Sequence, residues 1–130
     1  MGAWGHGNLE NDTVLDWVVD LLEAQDLELI SEAIEMVHDG KYIDADTASI
    51  ALGAIDILAA MHNKPGQEGY EEDLEEWISQ HKGQGTELLL PAKKALGKIL
   101  IDSELKELWE ETDSFDEWVL TINELEGRLL

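Results

Sequence analysis

Residues Ile50 to Ala60 read Ile-Ala-Leu-Gly-Ala-Ile-Asp-Ile-Leu-Ala-Ala, with a single charged side chain in the run. A helix apolar on several faces has no polar stripe to turn to water, so it must be covered by other elements. The stretch therefore predicts a central helix, starting near Asp44 or Asp46 and ending before Lys64-Pro65-Gly66. Everything else in the chain has to supply the cover.

The remaining segments have the right pattern for that. Val14, Trp17, Val18, Leu21 and Leu22 recur at helical spacing, with Asn11 or Asp12 as the cap. Leu27, Ile30, Ile34 and Val37 share one face of a second helix, which Gly40 stops. After the Pro-Gly turn, Glu71, Glu72 and Asp73 open a short helix, where acids suit the positive end of the helix dipole. A further helix runs from Thr86 to Ile101, with Pro91 in its first turns or bending it. Ser103 starts a short helix carrying Leu105, Leu108 and Trp109, and Ser114-Phe115-Asp116-Glu117 reads as a capping box for the last one. No run alternates with period two, so strands are not expected. At 130 residues the chain is one domain, and the expected fold is a compact all-α bundle of six to seven short helices with an ordered Gly/Trp-rich N-terminal segment.

Charge narrows the function classes. There are 30 acidic and 8 basic residues, a net charge of −22, and no Lys or Arg in the first forty positions. Nucleic acids and anionic membranes are repelled by such a surface, because binding them requires cations against phosphate. A basic protein is the complementary partner. Asp12, Asp16 and Asp20 recur every fourth residue along the first helix, and Glu23 continues the ridge. Lys93, Lys94 and Lys98 are the cations the fold could bring alongside to neutralise it. The chain has no cysteine, which removes disulfides and thiolate chemistry. The uncharged run Thr47–Ile55 is too short to span a bilayer, and no signal-peptide pattern is present, so a cytoplasmic setting is expected. Met1-Gly2 opens like a myristoylation site, but His6 stands where Ser or Thr is needed.

Short motifs do not assemble a catalytic or metal site. Glu35-x-x-His38 has the spacing of a di-iron ligand pair, yet such a site needs two pairs, and Ala59 and Ile78 precede His62 and His81 at the required position. Asp44-Ala-Asp46 starts like a calcium loop, but Ala48 replaces a ligand and Ser49 the turn glycine, so helix capping explains it better. Trp4-Gly5-His6-Gly7 lacks the preceding strand and the Lys of a phosphate loop. No catalytic residue, cofactor or metal is assigned. Asp56 stands out, since a carboxylate inside the apolar helix needs donors. The structural reading is an acceptor for backbone N–H groups of the N-terminal segment or for the indole of Trp4. The rival is a catalytic carboxylate working with a histidine in an enzyme or small-ligand module.

The opening Met1, Gly2, Trp4, Gly5, Gly7, Asn11, Asp12, Asp16 and Trp17 resembles the start of the DUF4259 family, small and mostly bacterial proteins of unassigned function. The likeness continues through Asp56, the Lys64-Pro65-Gly66 turn, and Trp109, Trp118, Ile122, Leu125 and Leu129, covering essentially the whole chain; Leu9 departs from an aromatic common in such openings. The resemblance implies a structural N-terminal motif in which glycines let the backbone lie close while Trp4 plugs the core. Three functions are carried forward. The first is a non-enzymatic interaction module, such as an inhibitor or immunity-type protein against a basic partner. The second is the Asp56-based enzyme or ligand site, and the third is an accessory regulatory protein.

Overall fold

The structure, a computed structural model, describes residues 12–39, 42–64 and 70–129. Seven α-helices and no strand occur among them: α1 (Asp12–Glu23), α2 (Glu28–Asp39), α3 (Ala45–Met61), α4 (Glu72–Gln80), α5 (Leu89–Ile101), α6 (Glu104–Glu110) and α7 (Phe115–Arg128). The all-α expectation is met, and the N-terminal segment with Trp4, Gly5, Gly7 and Asn11, like Gly40, lies outside the described residues.

The apolar run does what its composition demands. Every residue of α3 from Ala51 to Met61 is buried, and the helix packs against each of the other six. Its alanines are compatible with this crowding, since a slim side chain lets neighbouring backbones approach. Asp44 caps the helix by accepting from the Thr47 N–H at 2.7 Å, and Glu104 Oε1 accepts from the Ala45 N–H at 2.7 Å. The aspartates that resemble a calcium loop thus open a helix, one as its cap and Asp46 in its first turn.

The covering helices are amphipathic as expected. Val14, Val18 and Leu21 of α1 are buried, while Trp17 and Leu22 lie half-buried against the core. Trp118 of α7 is buried between Trp109, at a ring-centroid distance of 6.4 Å, and Phe115, at 6.0 Å. Pro91 occupies the third position of α5, in the first turn, where its missing N–H has no intrahelical partner to lose. Gly85 precedes it with φ +75, and a Cβ there would stand 2.8 Å from Leu27 Cδ1, so this turn favours glycine.

One helix start differs from the expectation. Ser114 sits at φ −99, ψ 12, and its side chain makes no cap bond, so the capping box at α7 is not formed. The extended backbone that aims a cap hydroxyl at the first turn is absent there. Thr112 takes over locally, its hydroxyl donating to the Trp109 carbonyl and accepting from the Ser114 N–H.

Candidate functional site

Asp56 is 6% exposed and lies on the buried length of α3. Two residues that nothing in the local sequence ties to it hold both of its oxygens. Arg128, near the end of α7, donates from Nη1 to Oδ1 and from Nη2 to Oδ2, each at 3.2 Å, and the Tyr70 hydroxyl donates to Oδ1 at 2.5 Å. This is a two-pronged guanidinium–carboxylate pair with a short charge-assisted hydrogen bond added. The same Arg128 donates from Nη1 to the Lys64 carbonyl and pairs through Nε with Glu124. Its side chain is 11% exposed. Burial alone would draw the guanidinium's pKa down, but the hydrogen bond and charge of Asp56, with Glu124 beside it, hold it above its ordinary value. The pair clamps the last turn of α7 to α3 and to the chain just after it.

The donors named from sequence for Asp56, Trp4 and the N-terminal backbone, lie outside the described residues, as does His6. The other three histidines each place a ring nitrogen against a backbone carbonyl: His38 Nε2 on Pro91 at 2.9 Å, His62 Nε2 on Gln84 at 2.8 Å, and His81 Nδ1 on Trp77 at 2.7 Å. His81 also stacks on the Trp77 indole at 4.0 Å, and that indole donates to the Ala24 carbonyl. These contacts tie helix ends and loops together. Glu35 is exposed, and His38 turns from it to α5.

The acidic ridge is where the spacing put it. Asp12, Asp16, Asp20 and Glu23 are all exposed on α1. Asp12 stands in the first turn of α1, and Asn11, the other cap candidate, lies outside the described residues. None of Asp16, Asp20 and Glu23 joins an ion pair among the described residues, where the ion pairs are Lys106–Glu110, Arg128–Asp56 and Arg128–Glu124. Neutralisation by Lys93, Lys94 and Lys98 does not occur: α1 packs on α3 and α4, and those lysines ride on α5. Beside α1, α4 adds the exposed Glu72, Asp73, Glu75 and Glu76. Neighbouring helices thus present like charge, and no ion pair among the described residues relieves it.

Arg128 and Tyr70 are the residues that local sequence reasoning misses. Arg128 is the sole arginine of a chain with 30 acids, and it stands in a tail where Trp118, Ile122, Leu125 and Leu129 face the core. That singularity was the available signal. Among the described residues, no helix is long and apolar enough to cross a membrane.

Comparison with curated proteins and with solved structures returns no match. The family model of DUF4259, a domain of unknown function, matches residues 2–121. That span takes in nearly the whole chain, from the glycine–tryptophan opening through the central helix to Trp118, and the protein belongs to the DUF4259 family.

Proposed function

We propose that this protein is a non-enzymatic interaction module that binds a basic protein through the acidic face of α1, as an inhibitor or immunity-type protein would. One observation carries the reading: Asp16, Asp20 and Glu23 are exposed together, and none joins an ion pair among the described residues. Like charges at this spacing oppose one another by roughly 0.2–0.5 kcal/mol per pair. A cationic surface laid against them relieves that repulsion and is steered in by the field of a molecule of net charge −22. The same field disfavours nucleic acid and anionic membranes, and a bacterial cytoplasmic setting fits it. The rival use of Asp56 as a catalytic carboxylate is the weaker reading. Both of its oxygens are engaged by Arg128, and a buried pair of this kind serves the fold before it serves chemistry.

The test is affinity capture from an extract of the source organism at low salt. Wild type is compared with a variant carrying Asp16→Asn, Asp20→Asn and Glu23→Gln. The expected result is a basic protein retained by wild type, released by high salt and absent from the variant's eluate. The same set of proteins on both baits, or no basic protein on either, counts against the proposal.

A further inference from the structure

α5 is the exception to the acidic character of the chain. No Asp or Glu occurs from Leu88 to Ile101, while Lys93, Lys94 and Lys98 supply three of the 8 cations. None of the three joins an ion pair among the described residues. The inner face of the helix, Ala92, Ala95, Leu96 and Ile99, is buried against the bundle. Its outer face presents Leu90, Lys94, Lys98 and Ile101 at helical spacing, with Ile101 76% exposed and open space over Gly97. Exposed apolar side chains at both ends of this pair of cations form a face that no other described element covers.

The complement to that face is on the same molecule but out of its reach. α1 exposes Leu15 and Val19 alongside Asp16 and Asp20. Both charged pairs are four residues apart, which is about 6 Å along a helix. Two Asp–Lys pairs can therefore form in register at once, with the apolar side chains of both helices covered beside them. Within one chain this does not happen, because α1 packs on α3 and α4 and makes no ion pair with α5. We propose that the outer face of α5 binds α1 of a second copy of this chain. The proposal does not rest on the reading of α1 as a site for a basic protein. It does mean that a second copy and such a partner compete for one ridge.

Net charge shapes how this contact behaves. Two molecules of charge −22 repel at low ionic strength, over distances set by a Debye length that shrinks to about 10 Å at 0.1 M salt. Moderate salt removes the long-range repulsion while leaving close pairs and apolar burial largely intact. Association is therefore strongest at intermediate salt, the opposite of a contact made by simple attraction between net charges. A single pair of short helix faces is a small interface, so the complex is weak and forms only in the high concentration range.

Sedimentation velocity over that concentration range, in low, physiological and molar salt, tests it. The expected result is a sedimentation coefficient that rises with concentration, most steeply at physiological salt. Lys94→Glu/Lys98→Glu abolishes the rise, Asp16→Lys/Asp20→Lys abolishes it, and an equimolar mixture of the two variants restores it. Ile101→Glu, at an exposed side chain outside both charged pairs, weakens it in wild type, and circular dichroism confirms that every variant is folded. A wild type that stays monomeric at physiological salt overturns the proposal and leaves the face of α5 to a different partner. Variants that associate as wild type does, or a mixture that fails to restore association, overturn it as well.

Discussion

Replacing Asp56 by alanine removes the carboxylate from a guanidinium whose side chain is 11% exposed. Arg128 then keeps Glu124, itself 45% exposed, and the Lys64 carbonyl, but loses its buried counter-charge among the described residues. Tyr70 loses Asp56 as an acceptor. Breaking a buried pair by removing one partner costs about 3–5 kcal/mol. With an unfolding entropy near 2.1 cal/mol/K per residue, roughly 0.27 kcal/mol/K for this length, that cost lowers the Tm by about 11–18 °C. Urea unfolding followed by tryptophan fluorescence measures the free energy, and a thermal scan the Tm. Arg128→Met should also destabilise, because it takes the guanidinium from both oxygens of the buried carboxylate. The double variant Asp56→Leu/Arg128→Met should fall short of the sum of Asp56→Leu and Arg128→Met by about 1–3 kcal/mol, since each single change already breaks the pair. Glu124→Ala, at the exposed end of the network, should cost less than about 1 kcal/mol. A loss below about 1 kcal/mol for Asp56→Ala, or strict additivity in the cycle, refutes the clamp.

Two further predictions follow from backbone and side-chain geometry. Gly85→Ala adds a methyl 2.8 Å from Leu27 Cδ1 at φ +75, whereas Gly83→Ala, at φ +79, meets nothing within 4 Å. Both pay about 1–2 kcal/mol for the left-handed backbone, and only Gly85→Ala adds a clash, so it should be the less stable of the two in urea; equal stabilities contradict this. Tyr42 is pushed up to about 12 by desolvation, by its hydrogen bond to Glu107 and by the neighbouring charges of Glu107, Glu104 and Asp102. The fold thus favours the neutral phenol, so its contribution is intact below the ordinary value near 10 and is lost as pH rises towards 12. Phenolate absorbance of wild type minus Tyr42→Phe should show that late ionisation, and a midpoint near the ordinary value contradicts it.

What was legible in the sequence was mostly what repeats locally. The period of Val14, Val18 and Leu21, the cap at Ser103 and the all-apolar run of α3 each state their own surroundings, and the bundle follows from them. Asp56 announces burial by interrupting that run, but Arg128, which holds both of its oxygens, lies 72 residues away, a pairing that no local pattern can express. The box at Ser114 had the right letters, and the backbone angle, which depends on how the turn from α6 to α7 closes, withheld the bond. The ridge on α1 was visible as spacing. That no ion pair among the described residues reaches it is a tertiary fact, decided by α4 rather than α5 lying beside it.

The central claim is that the ridge recruits a cationic protein, and its most direct test is kinetic. Association of the captured basic partner is measured with wild type and with Asp16→Asn/Asp20→Asn across an ionic-strength series. Long-range attraction between a charged ridge and its complement accelerates encounter and is screened by salt. Wild type should therefore associate faster at low salt and lose rate more steeply as salt rises, with the two proteins converging at high ionic strength. Equal rates and equal salt slopes for the two proteins contradict the claim.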